Sequence, residues 1–259
     1  VTKYEPPIPK YLQNMNNGPK ARNKPLENPR FHKYNGLENI KWFPSLFKEG
    51  KEVIVQEKLH GSNCRLSMQP TAANTIWKKL LKLIGFLPKY EHCWGSNNVQ
   101  LQHRPGTTGY YGSDIYGAVL QKVGAFEKIR PGETIYGELI GEGIQDKYIY
   151  GHRGEHNFVL FDVKVTRDDG HQEYLNPEEA EVYADQRGFK FVPVLYRGPF
   201  IKEQIEKLAS GPSVYDGREK IREGIVIKAR ENYGEKSGGK KALKWINPDY
   251  LDKPNSDFQ

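Results

Sequence analysis

The sequence predicts an α+β fold in which antiparallel β-sheets carry flanking helices. Hydrophobic residues make up 37% of the 259 residues and aromatic residues 12%, which is enough for a globular chain with a substantial core. Short alternating, β-branched stretches are interspersed with stretches whose apolar residues recur at helical spacing. The two kinds do not follow the regular strand-helix-strand order of a parallel sheet, so antiparallel sheets are favoured.

The predicted elements follow from these patterns in chain order. Residues 51–69 alternate on both sides of His60-Gly61-Ser62-Asn63, which predicts two antiparallel strands around a turn. Further strands are predicted at 133–140, 157–165, 223–229 and 242–246, and helices at 75–87, 112–128, 177–187 and 200–209. The 75–87 helix is basic and amphipathic, and we expect it to pack onto the domain rather than contact RNA.

The two ends of the chain differ in composition from its middle. Residues 1–30 are rich in proline, asparagine and basic side chains, which predicts an extended lead or interdomain linker. One domain is expected over 31–252, followed by a tail at 253–259. No internal repeat is visible.

Charge and cysteine content limit the classes of function. The formal charge is +7, which fits either a basic soluble protein or one that binds RNA or DNA, and charge alone does not separate these. No apolar run approaches 18 residues, so neither a membrane span nor a membrane partner is expected. With only Cys64 and Cys93 present, a disulfide framework is excluded and an intracellular compartment is expected. Neither glycine-rich phosphate-binding motif occurs, and His152 and His156 lack a second ligand pair for zinc.

Lys58 is the strongest candidate for chemistry. It ends the apolar run Val53-Ile54-Val55 and stands directly before a turn of small residues. A desolvated lysine near other cations can lose its proton and act as a nucleophile, although a lysine at a strand end is far more often a surface residue. Lowering the pKa of Lys58 from an ordinary ~10.4 to ~7 requires about 4 kcal/mol. Lys228 and Lys244 are the candidate cations that would help to lower it.

Four later segments supply groups that a nucleotide would need. Glu138 precedes a glycine-rich turn and could accept hydrogen bonds from ribose. Phe161 could stack on a purine while Asp162 orients a neighbour. Glu223 could hold a hydrated metal ion, and Lys228 and Lys244 could bind phosphate. Each segment alone is more simply explained as core or rim, but their combination favours a nucleotide site.

In these segments the chain resembles the covalent nucleotidyltransferases, and most closely the RNA ligase 2-like group of ATP-dependent RNA ligases. The resemblance covers about residues 31–246. It rests on Phe31-His32-Lys33-Tyr34-Asn35-Gly36-Leu37-Glu38-Asn39, Glu57-Lys58-Leu59-His60-Gly61-Ser62-Asn63, Gly137-Glu138-Leu139-Ile140-Gly141-Glu142-Gly143-Ile144-Gln145, Phe158-Val159-Leu160-Phe161-Asp162 and Glu223-Gly224-Ile225-Val226-Ile227-Lys228. It implies an adenylyltransferase catalytic domain at 31–252 with a ligase nucleotidyltransferase fold, also described as ATP-grasp-like.

The resemblance also implies a reaction and roles for residues. ATP, with Mg²⁺ or Mn²⁺, would adenylylate Lys58; AMP would then move to an RNA 5′-phosphate, which a 3′-hydroxyl would attack to seal RNA ends or nicks in a duplex. The implied nucleotide contacts and catalytic groups are Glu57 beside adenine, Leu59, Asn63 in the later steps, Glu138 on ribose, Phe161 stacked on adenine, Glu223 on the metal through water, and Lys228 and Lys244 on the α-phosphate.

Two positions depart from the family pattern. Ile246 stands where the family has a second late lysine, for which Lys240 or Lys241 could substitute. An arginine usual on the strand after the first motif is not evident in Gly95-Ser96-Asn97-Asn98, and Arg104 is a distant candidate.

Several alternatives stay open. Relatives in the RNA ligase 5-like group carry an OB-fold module before the catalytic domain, and we expect such a module to be absent from this chain, which we expect to be a monomer. Another polynucleotide adenylyl- or guanylyltransferase, of the DNA ligase or capping type, and a catalytically inactive RNA-binding module are the competing functions.

Overall fold

The computed structural model describes residues 27–73, 76–101, 114–145, 148–166, 171–216, 219, 221–231, 233 and 240–251. Within these ranges twelve strands form two sheets. The strands are β1 Glu38–Asn39, β2 Glu52–Lys58, β3 Ser62–Pro70, β4 Tyr90–Ser96, β5 Gln100–Leu101, β6 Glu133–Gly141, β7 His156–Thr166, β8 Gln172–Tyr174, β9 Lys190–Phe191, β10 Val194–Pro199, β11 Gly224–Ala229 and β12 Ala242–Ile246.

The two sheets are mostly antiparallel, as the sequence predicts. A five-stranded sheet has the order β1-β12-β11-β2-β10, and a seven-stranded sheet has the order β5-β4-β3-β6-β7-β8 with β9 beside β7. Only β1 with β12 and β7 with β9 run parallel among the described pairs. The α+β fold class is therefore confirmed.

Strands β2 and β3 form no hairpin, contrary to the sequence prediction. Strand β2 pairs with β10 and β11 in the five-stranded sheet, whereas β3 pairs with β4 and β6 in the seven-stranded sheet. The chain thus passes from one sheet to the other between Lys58 and Ser62. Alternation of side chains reveals a strand but not its partner, because pairing is decided by residues distant in sequence.

Six helices lie in the described part of the chain: α1 Ile76–Leu83, α2 Ile115–Lys122, α3 Ala125–Lys128, α4 Pro177–Arg187, α5 Lys202–Ala209 and α6 Pro248–Leu251. Helix α4 has the predicted bounds, since Asn176 and Glu179 form a capping box and Gly188 ends it in the left-handed region. The predicted 112–128 helix is two helices, separated by Gly124 at φ +66°.

Helices pack on both sheets. Helices α2, α3 and α4 cover the seven-stranded sheet through a core that includes Leu120, Ala125 and Ala180. Helix α5 covers the five-stranded sheet through Ile205. Helix α1 is the exception, because none of its residues is buried. Our expectation that it packs onto the domain is therefore wrong.

The predicted lead overlaps the folded part of the chain. Residues 1–26 of the predicted 1–30 segment lie outside the described residues, as does the tail at 253–259. Asn28, however, is buried, and its side-chain amide donates to the Pro70 carbonyl and to Glu91. The packed domain therefore begins by Asn28, a few residues before the predicted boundary. No helix in the described residues is both long and apolar enough to cross a membrane.

Candidate functional site

A cavity of about 330 Å³ lies between the two sheets. Eight of the nine predicted site residues line it, and the ninth, Glu223, is buried beside them. The eight are Glu57, Lys58, Leu59, Asn63, Glu138, Phe161, Lys228 and Lys244. Strands of both sheets contribute, which explains how segments so distant in sequence meet at one place.

Lys58 and Glu223 form an ion pair at the edge of the cavity. The Lys58 ammonium lies 2.6 Å from Glu223 Oε1, and the Lys58 side chain keeps 24% of its surface exposed, so a solute can reach it. Strand pairing fixes this contact, because Lys58 at the end of β2 faces Gly224 at the start of β11. Burial alone would raise the pKa of Glu223, but Lys58 and His60 outweigh it, and the pKa is lowered. The carboxylate is therefore ionised at neutral pH.

The Lys58 amine shares the cavity with two cations, as predicted, but it also contacts a carboxylate. Lys228 and Lys244 line the same cavity, as expected, but Glu223 is in direct contact with the Lys58 amine. A carboxylate at this distance favours the protonated amine. Nucleophilic attack by Lys58 therefore requires the pair with Glu223 to separate.

His60 is a positioning residue that the sequence analysis did not single out. It is buried, with Nδ1 3.0 Å from the Tyr250 hydroxyl and 3.6 Å from Glu223 Oε2. Its backbone N–H donates to the Tyr150 hydroxyl at 2.7 Å. These contacts fix the segment between the sheets, and with it the direction of Glu223.

Gly61 allows the segment between the two sheets to pass close to β6. A Cβ at this position would lie 2.1 Å from the Leu139 carbonyl oxygen and 2.9 Å from Glu138 Cγ. Glu138 itself faces Asn63 across the β3–β6 pair. Burial raises the pKa of Glu138 to about 8, since the nearby Lys58 only partly offsets it. At neutral pH this carboxyl is mostly protonated and can both donate and accept hydrogen bonds.

Asp162 orients Lys228, which agrees with the suggestion from the sequence that Asp162 orients a neighbouring side chain. The Lys228 amine donates to Asp162 Oδ1 at 2.8 Å and to the Phe161 carbonyl at 2.7 Å. Asp162 also accepts hydrogen bonds from the Tyr34 and Tyr233 hydroxyls. Burial lowers the pKa of Lys228, and Asp162 offsets part of that effect. The amine is thus held in a fixed place at the cavity wall.

One side of the cavity is apolar. Phe161 is partly buried, and its ring meets Tyr34 edge-on at 4.9 Å between centroids. Leu59, Val192 and Val226 complete this side. A flat, apolar base would find both an aromatic face and aliphatic contacts here.

Three buried polar atoms on the cavity wall have no hydrogen-bond partner among the described residues: Gln56 Nε2, Glu57 Oε1 and Asn63 Oδ1. The other Glu57 oxygen accepts from the Val214 backbone N–H at 2.9 Å. Burial raises the pKa of Glu57, against hydrogen bonds from Ser213 and Val214. Buried polar atoms are normally paired, so these atoms are available to a polar ligand.

At neither of the two positions that depart from the family pattern does a replacement residue from the described part of the chain line the cavity. Ile246 is buried in β12 and packs with Leu59. Lys240 is also buried, above the Tyr34 ring and 4.0 Å from Asp162 Oδ2, and is not among the residues that line the cavity. Lys241 lies in a second depression near Phe47. Substitution of the missing lysine by either one stays a prediction.

The missing arginine also has no replacement in the cavity. Asn97 lines the cavity and accepts a hydrogen bond from the Tyr34 backbone N–H, whereas Arg104 lies outside the described residues. Arg65 is an arginine on β3, but it is buried beneath the Phe31 ring and donates to the Phe31 and Ser96 carbonyls. Its role is to hold the start of the domain.

Tyr34, Gly36, Leu37 and Asn97 line the cavity but were not assigned by the sequence analysis. The first three fall inside the Phe31–Asn39 segment that carries part of the family resemblance. The resemblance therefore indicated the segment, but the residue types did not indicate which of its side chains face the cavity.

The two facing sheets, with a lysine at a strand end and carboxyl, amine and aromatic groups around one cavity, define a nucleotidyltransferase domain. The RNA ligase family model matches residues 51–246, which is more than half of the chain. The chain belongs to the RNA ligase family.

Solved structures with the same fold include RNA ligases from Naegleria gruberi. The ligase with PPi has 23% identity and a TM-score of 0.63, covering 97% of this chain and 64% of its own. An apo aspartate-to-alanine mutant has 24% identity and a TM-score of 0.64, with coverages of 97% and 63%. A lysine-to-alanine mutant with ATP and Mn has 22% identity and a TM-score of 0.62, with coverages of 88% and 60%. The chain thus spans about three fifths of the length of these ligases.

Proposed function

We propose that this chain is the adenylyltransferase domain of an ATP-dependent RNA ligase and that Lys58 carries AMP. The observation that carries the proposal is the gathering of groups from separate segments around the accessible Lys58 amine. Membership of the RNA ligase family supports the choice of RNA over other acceptors. Naegleria gruberi ligase structures with ATP and Mn, and with AMP and Mn, support ATP as the nucleotide and a divalent metal as its companion.

In the first step the Lys58 amine attacks the α-phosphorus of ATP. A nitrogen–phosphorus bond forms, the bond from phosphorus to the bridging oxygen breaks, pyrophosphate leaves and the amine gives up a proton. Lys228 and Lys244 would neutralise α-phosphate charge, while Phe161 stacks on adenine and Glu138 binds ribose. Glu57 and Leu59 would contact the base, with the unpartnered Glu57 oxygen as an acceptor.

Glu223 fits the role of holding Mg²⁺ or Mn²⁺ through water. Its carboxylate is ionised, and Oε2 has no hydrogen-bond partner among the described residues. A carboxylate of this kind can hold a hydrated ion through its water ligands. When bound, the ion supplies positive charge that stabilises the phosphates.

In the later steps an RNA 5′-phosphate oxygen attacks the phosphorus of the lysyl-bound AMP. The nitrogen–phosphorus bond breaks, and Lys58 regains a proton. A 3′-hydroxyl then attacks the activated 5′-phosphate, loses its proton and releases AMP. Asn63, whose Oδ1 has no partner among the described residues, lies two residues beyond Gly61 and would contact the reacting phosphate.

A labelling experiment tests the first step. The protein is incubated with ATP labelled at the α-phosphate and with Mg²⁺, then denatured. Acid-labile label is expected on the wild type and absent from Lys58→Ala and Lys58→Arg, because an arginine keeps the charge but is a very poor nucleophile. Lys48→Ala, at an exposed lysine outside the cavity, is the matched control and should label fully.

Substrate choice separates this proposal from its competitors. Label transfer from GTP in preference to ATP would indicate a capping-type enzyme, and no label from either would indicate an inactive binding module. Nicked duplexes with RNA or DNA at the nick, assayed for each step, test the acceptor. Sealing of DNA-only nicks alone would contradict an RNA ligase.

A further inference from the structure

Helix α1 projects from the domain on a narrow neck. It connects β3 to β4, and the neck is closed by two hydrogen bonds that Thr71 donates to the other side. The Thr71 N–H donates to the Lys89 carbonyl and its hydroxyl donates to the Pro88 carbonyl. Lys82 adds a bond from its amine to the Thr71 carbonyl. Every residue from 76 to 86 is exposed. The domain therefore holds the ends of this segment but does not cover its faces.

The helix separates apolar and charged side chains completely. At 100° per residue, Ile76, Trp77, Leu80, Leu81, Leu83 and Ile84 occupy one continuous side, and Lys78, Lys79 and Lys82 occupy the other. Ile76 is 85% exposed, Trp77 75% and Leu83 83%. Phe86 extends the apolar side after Gly85, whose φ of +77° ends the helix. A soluble domain seldom exposes so many large apolar side chains together.

An eight-residue helix with no buried side chain receives little stability from its own hydrogen bonds. Its apolar side needs a surface to bury against, and its composition indicates which one. Four lysines and no acidic residue occur between Thr71 and Tyr90. Helices that lie in the interface of an anionic lipid bilayer typically carry only basic residues on one side and a broad apolar side with a tryptophan on the other. Helix α1 has both features.

We propose that α1 binds the surface of an anionic phospholipid bilayer. Its apolar side would enter the acyl boundary while the lysines stay at the headgroups. RNA offers phosphates for the lysines but no apolar surface for the five leucine and isoleucine side chains. This is an interfacial contact and not a span, so it needs no long apolar segment. It departs from the sequence-based expectation of no membrane partner, which rested only on the lack of such a segment.

The position of α1 leaves the candidate site open. Strand β3 begins beside the cavity, between Gly61 and Asn63, and ends at Pro70 near the neck of α1. Nine residues at about 3.3 Å each place the helix on the order of 25 Å from the cavity. A bilayer-bound domain could therefore still admit nucleotide and RNA.

Vesicle binding by the full chain tests the proposal. Vesicles of phosphatidylcholine alone and of phosphatidylcholine with phosphatidylserine are sedimented with the protein. Binding is expected to the anionic vesicles only, to weaken with added salt, and to fall about tenfold or more in a Trp77→Ser, Leu80→Ser double variant. Both side chains are exposed in the free protein, so the domain should fold in this variant.

Matched variants distinguish vesicle binding by α1 from nonspecific hydrophobic or electrostatic adsorption of the protein. Trp42→Ser removes an equally exposed tryptophan outside α1 and should bind as the wild type does. Lys78→Gln with Lys79→Gln should reduce binding and its dependence on salt. A blue shift of tryptophan emission on vesicle binding should disappear in Trp77→Phe.

Three results would overturn the proposal. The first is no sedimentation with anionic vesicles. The second is binding that the double variant retains. The third is a protein that binds no vesicles but loses self-association or RNA affinity in the double variant. Loss of self-association would assign α1 to a second copy of the chain, and loss of RNA affinity would assign it to nucleic acid.

Discussion

Two carboxyl groups near Lys58 have opposite protonation at neutral pH. Glu223 is ionised because Lys58 and His60 lower its pKa, whereas burial raises the pKa of Glu138 to about 8. Environments that separate the pKa values of like groups allow them different roles. Here the charged Glu223 faces the amine, and the neutral Glu138 could donate the hydrogen bond to ribose that we propose.

Glu138→Gln should stabilise the protein increasingly as pH rises. The pKa of Glu138 rises from an ordinary 4.5 to about 8 on folding, so the folded state holds a proton that the unfolded state has lost between these values. This contribution is present below about pH 4.5 and is lost as pH rises through 8. The glutamine cannot ionise, and its advantage should approach about 5 kcal/mol above pH 8.

Urea unfolding of both proteins at pH 5, 7 and 9 measures this difference. Glu203→Gln, at an exposed glutamate on α5, is the control and should show the same small effect at each pH. An advantage of Glu138→Gln that does not change with pH would contradict a raised pKa.

Asp162→Asn should destabilise the fold by about 3–5 kcal/mol, because it leaves the buried Lys228 amine without its charge partner. The double variant Asp162→Asn, Lys228→Met should recover much of this loss. Guanidinium unfolding of the two single variants and the double variant gives the coupling, expected at about 2 kcal/mol. Additive losses would mean that the pair contributes nothing beyond its separate contacts.

The element that joins the sheets depends on one glycine. Gly61→Ala should cost about 1–3 kcal/mol, because the methyl group would collide with the Leu139 carbonyl and the backbone must move. The same shift would misplace Lys58 and slow its labelling by ATP. Thermal unfolding and the labelling rate measure the two effects. Gly36→Ala, where a methyl meets no atom within 4 Å, is the control for stability and should unfold as the wild type does.

Long elements with strong local signals were predictable. Strand β12 and helix α4 have the predicted bounds, β6 and β11 differ by one residue at one end, and β7 differs by one residue at each end. Strands β1, β5, β8 and β9 were missed because two or three residues carry no alternation. Strand β10 contains Gly198 and ends at Pro199, which together indicate a loop rather than a strand.

The pairing of strands was not predictable, for a different reason. Local sequence showed strands on both sides of Gly61 but not that they enter different sheets. The membership of the candidate site was nevertheless predictable from the resemblance, because its segments carry unusual residue types. What remained hidden was the contact between Lys58 and Glu223, since it depends on a pairing between β2 and β11 across more than 160 residues of chain.

At the scale of the whole molecule, the cavity is shared by two sheets, each of which has a core of its own, and two smaller apolar clusters join the sheets. The core beside β2 and β11 includes Val55 and Ile225, and the core beside β3 and β6 includes Leu66 and Ile135. A nucleotide that contacts Lys228 on one sheet and Glu138 on the other would bind only the docked arrangement. Ligand binding should therefore stabilise both sheets as a unit.

Thermal unfolding with an ATP analogue tests this. The analogue carries a methylene group between the α- and β-phosphorus atoms, so it binds without transferring AMP. At 100 times its Kd it should add about 2.7 kcal/mol of stability and raise the Tm of the whole transition. Lys58→Ala should keep most of this shift, because our proposal gives Lys58 a role in the chemistry rather than in nucleotide retention, whereas Phe161→Ala should lose it. The corresponding GTP analogue is the control for base selection. A second, unshifted transition in the presence of the analogue would show that one sheet unfolds independently and that the nucleotide does not join the two.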